Sequence, residues 1–195
     1  MDKRTQAEAK TKILVRDKYL LAMWDSGSQR ICGKRVALGL FSVESFSSNK
    51  KPEHQVARLL AERIVPFLRD EIMQNEKVLR DNLKEVEKDL QDLQQDPLYA
   101  SIELAEAPTQ TYEITVEQRG AWPLVNLFVR SFVLVDMITS TLKRIHSLGA
   151  IDFSTYKRRE KKLAKPMWQT MTRLEEAIKG YHLQRKAISN IKETE

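Results

Sequence analysis

Six cations occupy the nine positions from Lys157 to Lys165: Lys157, Arg158, Arg159, Lys161, Lys162 and Lys165. A second basic set lies toward the N-terminus, where Lys10, Lys12 and Arg16 are followed by the compact pair Lys34 and Arg35. Clustered lysine and arginine can neutralise the phosphates of a polyanion, and contacts of that kind would dominate at both sets. The N-terminal five are expected to form one contact surface and the 157–165 cluster a second. Read along the chain, the six cations of that cluster surround their helix rather than line one face. The bland alternative is a set of solvated helix faces in a chain that is 31% charged.

No other grouping carries a reaction. The glycines are single and scattered, so there is no phosphate-cradling loop. Neither G-x-S-x-G nor H-E-x-x-H occurs. Glu103 with Glu106, or Glu175 with Glu176, could be drawn as acid and base, but such pairs on a highly charged chain are mostly surface. Cys32 next to Gly33-Lys34-Arg35 could have a lowered thiol pKa, although an inert, half-buried thiol is the simpler reading. Met167, Trp168 and Met171 read as core. Trp24, Trp122 and Trp168 could stack on bases, and packing is the plainer role for them. The three histidines, at 54, 146 and 182, are too far apart to suggest a metal site. The expectation is a chain that is not an enzyme and holds no cofactor or metal.

Charge is divided along the chain. Residues 1–51 carry 11 basic and 5 acidic side chains, residues 52–118 carry 7 and 15, and residues 119–195 carry 15 and 7. Two basic ends therefore flank an acidic middle. The single cysteine excludes an internal disulfide framework and fits a reducing cytosol. Residues 1–12 are polar throughout and do not read as a leader.

The elements that must position these cations centre on the run from Leu124 to Leu148. Pro123 suits the first helical position, Gly149 suits the stop, and Lys143, Arg144 and His146 complement the carbonyl end. Leu127, Phe128, Phe132, Val135, Ile138 and Leu142 recur at helical spacing and predict a core or dimer-interface face. Val125, Val129, Val133, Leu134 and Met137 fill a second face, so the helix is apolar on most sides. A membrane span is the alternative, but Arg130 and Asp136 interrupt the run and would be costly in lipid. Those two face differently, and each is a candidate to pair across a subunit interface.

Before this helix, Lys10 to Arg16 reads as a short strand, with Lys12, Leu14 and Arg16 on one side and Ile13 and Val15 on the other. Ser26 to Ser28 reads as a turn or loop. Arg30 to Phe46 is mixed: Val36, Leu38 and Leu40 alternate, while Gly33 and Gly39 weaken any regular element. Ser45 to Lys51 reads as a polar linker. Pro52 starts a helix, and Pro66 either kinks it or starts another. Leu79, Leu83, Val86, Leu90 and Leu93 step by 4, 3, 4, 3, a coiled-coil seam whose partner lies in the same chain or in a second copy. Thr111 to Gln118 is the clearest strand. After Gly149, Asp152 or Ser154 can cap a helix that Pro166 interrupts. The chain divides into a basic segment 1–51, a charged helical segment 52–97 and a strand–helix–helix core 98–195, most simply as one domain. The fold class expected is mainly α with a short β element.

The segments ILVRDKYLLAMWDSG, RICGKRVALGLF, LRDNLKEVEKDLQDLQQ, TYEITVEQ, GAWPLVNLFVRSFVLVDMI and SLGAIDF, in that order, resemble the AcaB-like regulators of integrating conjugative elements and conjugative plasmids. The resemblance covers most of residues 13–172 as pattern rather than as a catalytic motif. It implies a bacterial, cytoplasmic and nucleoid-associated DNA-binding protein, a dimer that activates conjugative transfer genes, with no membrane partner. It also implies a relation to the ribbon–helix–helix class, in which strands from two subunits enter the major groove of double-stranded DNA. Against that use of Thr111–Gln118 stand Glu113 and Glu117 on its polar face, which phosphates would repel. A helical scaffold of a transfer system, resting on the heptad seam and the acidic middle, is the competing expectation.

Overall fold

The apolar run after Pro123 forms one helix on which the other long elements pack. In the computed structural model the described residues are 11–25, 31–102, 110–116 and 122–192. Their order is β1 (Thr11–Val15), α1 (Lys18–Trp24), α2 (Gly33–Ser47), a short 3-10 turn at Pro52–His54, α3 (Gln55–Gln95), α4 (Pro97–Ala100), β2 (Tyr112–Val116), α5 (Pro123–Ser147) and α6 (Phe153–Lys192). The chain is thus mainly α with one small β element. The expected turn at Ser26 to Ser28 and the residues that follow β2, Glu117 included, lie outside the described residues.

Helix α5 buries Phe128, Phe132, Val135, Ile138 and Leu142 almost completely, and Leu127 packs half-buried beside them. These positions are filled by α2, α3, α6 and β1 of the same chain, so they are core and not a subunit interface. The helix is long and apolar enough to cross a membrane, with a mean hydropathy of 1.4 over its best window. The two charges that interrupt the run are nonetheless paired inside the chain. The Arg130 guanidinium donates to Glu76 of α3 at 2.5 Å, and Asp136 accepts from Arg16. Neither waits for a second subunit. Because Trp122 cannot cap the helix by its side chain, the buried carboxylate of Glu44 on α2 accepts from the Leu124 N–H at 3.2 and 3.3 Å. The cap comes from another helix and places a carboxylate at the positive end of the α5 dipole.

The segment that reads as mixed is helix α2. The alternation of Val36, Leu38 and Leu40 misleads, because Leu38 is exposed and the buried set is Val36, Ala37, Leu40 and Val43. The two glycines allow close approach instead of breaking the helix. A Cβ on Gly33 would lie 2.5 Å from Phe132 Cζ and 2.7 Å from Trp24 Cε3, and one on Gly39 would lie 2.8 Å from Ile178 Cγ2. The expected linker at Ser45 begins later, because α2 runs to Ser47 and the hydroxyls of Ser45 and Ser47 donate back to the carbonyls of Ser42 and Glu44.

Neither internal proline ends its helix: α3 continues through Pro66 and α6 through Pro166. A proline removes one helical hydrogen bond and crowds the preceding turn. Here burial on both sides offsets that cost, through Ala61 and Leu68 around Pro66 and Leu163 and Met167 around Pro166. The heptad seam is intramolecular. Leu79, Leu83, Val86 and Leu90 are buried and Leu93 half-buried, with α3 lying along α5 and α6.

Both expected strands form, and they pair with each other. β1 and β2 run antiparallel with Ile13 opposite Ile114 and Val15 opposite Tyr112. The ribbon is therefore made within one chain, where the ribbon–helix–helix resemblance implied strands from two subunits. Ile114, Val116 and Val15 face the core, while Lys12, Leu14 and Glu113 are exposed.

Gly33→Ala is expected to destabilise the protein by about 1–3 kcal/mol through overpacking, although alanine is the better helix former. Urea unfolding that showed equal or greater stability would mean that Phe132 and Trp24 can yield.

Candidate nucleic-acid interface

Helix α6 starts where Asp152 caps it. Its carboxylate accepts from the Thr155 N–H at 2.9 Å and from the hydroxyls of Ser154 and Thr155 at 2.6 and 3.0 Å. These bonds hold Asp152 far below the usual carboxylate range. One stripe of the helix, Tyr156, Leu163, Ala164, Met167, Met171, Leu174, Ile178 and Tyr181, is buried. The opposite side meets solvent.

That division sorts the six cations. Arg159 turns toward α3 and donates to Asp89 at 2.5 Å, with Glu85 at 3.9 Å. Lys157 donates to Glu160 at 2.8 Å. Arg158, Lys161, Lys162 and Lys165 are exposed and have no ion-pair partner among the described residues. At spacing i, i+3, i+4 and i+7 these four fall within an arc of about 100° and span about 10 Å of axis. Those four therefore line one face, while all six together span about 200° of the helix. At 3.6 residues per turn, only Lys157 and Arg159 leave that arc.

The N-terminal cations are used differently. Lys10 lies outside the described residues. Lys12 bridges to Glu113 across the ribbon at 3.0 Å. That hydrogen bond, followed by one from Thr115, holds Glu113 below its usual range, so its charge is balanced inside the ribbon. Arg16 donates from its backbone N–H to Asp136 Oδ1 at 2.6 Å and from Nε to Oδ2 at 2.9 Å. Lys34 lies 3.6 Å from Asp25 at the end of α1. Arg35 donates to Glu175 of α6. The structure ties Lys12 and Arg16 to β2 and α5, and ties Lys34 and Arg35 to α1 and α6.

The other chemistry-bearing residues go into packing. Glu175 is buried against Arg35 and Lys179, while Glu103 and Glu106 lie outside the described residues. Burial alone would raise the Glu175 carboxyl, but Arg35 and Lys179 outweigh it and hold the group low. Glu76 is held low in the same way by Arg130 and Arg80. Cys32 is a buried free thiol at the start of α2. Trp24 meets Phe132 edge to face, Trp122 meets Phe41, and the Trp168 indole N–H donates to the Tyr19 hydroxyl at 2.8 Å. No group of three or more histidine, cysteine, aspartate or glutamate side chains comes together among the described residues. A cleft of about 380 Å³ between α3 and α6 is lined mainly by Leu60, Ile64, Phe67 and Tyr181 and contains no nucleophile. One surface feature escaped the sequence reading. Phe153 continues the i+4 row Lys157, Lys161 and Lys165, a signal visible in the spacing alone.

No family model matches the sequence, and no curated protein matches it. The fold is similar to that of AcaB. The crystal structure of selenomethionine-containing AcaB from uropathogenic E. coli superposes with a TM-score of 0.53 at 16% identity, covering 94% of this chain and 86% of that one. At that identity the likeness concerns the fold, and no residue role transfers with it.

Because the folded-state pKa values of Glu76 and Glu175 are depressed, their contribution is fully present above the ordinary value near 4.5 and is lost as pH falls through the folded values. Glu44, raised by burial, works in the opposite sense. Urea unfolding between pH 6 and 3 is expected to show stability falling with acid, more shallowly in Glu175→Gln. An identical slope in that variant would remove Glu175 as a contributor.

Proposed function

We propose that the protein is a DNA-binding transcriptional regulator, acting as a homodimer on promoter DNA of conjugative transfer genes, with activation the expected direction. The observation that carries this reading is the arc of four unpaired cations on the outer face of α6. Most of the remaining basic side chains in the two candidate sets are consumed by carboxylates of the same chain, and these four are not. They stand on a helix braced by the core along its opposite side, so their spacing is fixed before any phosphate arrives. A polyanion gains from such an array by releasing condensed counterions. The likeness to AcaB in fold, together with the sequence resemblance to regulators of mobile elements, supports the setting.

A dimer would have to use surface outside the α5 core, since that core is complete in one chain. Two-fold symmetry would then present two copies of the α6 arc to the duplex. The scaffold reading loses its main support, because the α3 seam on which it rested is already occupied by α5 and α6.

The test is equilibrium binding by fluorescence anisotropy, with a duplex from upstream of transfer genes and a scrambled control over a salt series. Four phosphate contacts per protomer predict a log–log slope of about −3.6 per protomer. Replacing Arg158, Lys161, Lys162 and Lys165 together by alanine is expected to flatten the slope and weaken binding at least about a hundredfold. A wild-type preference for the specific duplex of about a thousandfold is expected of a sequence reader. An unchanged slope in the variant would overturn the assignment to α6.

A further inference from the structure

The first turn of α6 carries one aromatic ring, Phe153, that the core does not consume. Phe153 is 63% exposed. His146, at the end of α5, stands behind it with ring centroids 6.0 Å apart, and the Tyr156 ring lies 6.2 Å from Phe153 and 5.1 Å from His146. The Lys157 ammonium lies 5.9 Å from the Phe153 centroid and 4.9 Å from that of Tyr156. The phenyl ring is thus propped from two sides and leaves much of its surface open. Leu98 and Leu183 are as exposed but aliphatic and cannot stack, and the other exposed aromatics, Phe67 and Tyr19, show less of their surface, 47% and 41%.

Its placement joins it to the cations. Phe153, Lys157, Lys161 and Lys165 follow one another at i+4, an inclined ridge about 18 Å long that drifts about 40° per step; Lys161 and Lys165 belong to the free arc, and Lys157, held by Glu160, lies between them and Phe153. Of the nearby carboxylates, Glu160 is paired with a cation, while Asp152 keeps its charge as the cap of α6. Glu160 accepts from the Tyr156 hydroxyl and from Lys157, each at 2.8 Å, and the oxygens of Asp152 accept from Ser154 and Thr155. A backbone that lies along the ridge would therefore bring a base step to Phe153.

We propose that Phe153 is a stacking wedge, which enters a base step of the bound duplex while the α6 cations hold the phosphates. This rests on the DNA-binding reading above and adds to it a source of sequence preference. Unstacking a step is least costly at flexible pyrimidine–purine steps, so the wedge selects them without reading base edges. Removing an aromatic that stacks on one base is expected to weaken binding about tenfold or more. It should leave the salt dependence alone, because the phenyl ring displaces no counterion.

The experiment places 2-aminopurine at a pyrimidine–purine step of the same duplex. Fluorescence and anisotropy are then followed for the wild type, Phe153→Ala and Phe153→Trp. The wild type is expected to bind and raise 2-aminopurine emission. Phe153→Ala should bind about tenfold more weakly with an unchanged salt slope and no rise in emission, and Phe153→Trp should restore both. Wild-type binding without a rise at any tested step, or Phe153→Ala affinity within twofold of wild type, overturns the wedge and leaves the DNA-binding reading standing. No salt-dependent binding by the wild type overturns both.

Discussion

The carboxylate of Asp136 sets the constraint on which the rest of the architecture depends. It sits in the middle of the most apolar helix and is almost fully buried. An unpaired charge there would cost several kcal/mol, so a donor must be brought to it. Arg16 supplies two, one from its backbone and one from its guanidinium. Because those donors follow directly on β1, satisfying Asp136 also docks the ribbon and the start of α1 against α5. A single buried charge thus ties β1 and the start of α1 to the middle of α5.

The same logic recurs around the core and accounts for several of the paired basic side chains. Glu76 draws in Arg130 and Arg80, Glu175 draws in Arg35 and Lys179, and Asp89 draws in Arg159. Each pair crosses between elements or closes a helical turn at the edge of the core. The acidic middle of the chain is thereby partly spent on the basic ends. What survives as free cation on the described surface of the 157–165 cluster lies on one arc of α6, because its other sides face α3 or fold back on Glu160.

Several features were legible in the residues alone, each for a local reason. Pro123, Gly149 and an apolar period of 3.6 mark α5, since the proline and glycine act through their own backbone geometry. Gly149 indeed adopts φ 77°. Alternation marks both strands, because side chains in a strand alternate regardless of partner. The 4-3 spacing marks the α3 seam. The mainly α class with a small β element followed from these periods.

What only the tertiary structure decided is where a neighbour changes the meaning of a residue. Gly33 and Gly39 resemble breakers until Phe132 and Ile178 occupy the space a Cβ would need. Pro166 reads as an interruption, and Pro66 as a kink or a new start, until burial on both sides carries the helices through them. The seam could have joined two chains; α5 and α6 filled it first. Glu44 shows nothing in sequence that marks it as the cap of a helix 80 residues later. Lys12, Arg16 and Arg35 look as available as Arg158 or Lys162, because charge is read from residue type whereas pairing depends on which carboxylate lies within reach. Helical periodicity and local caps are properties of a few consecutive residues, and the sequence by itself determined those. Partner choice is a property of the packed whole, and it selected which cations of the two basic sets stay unpaired.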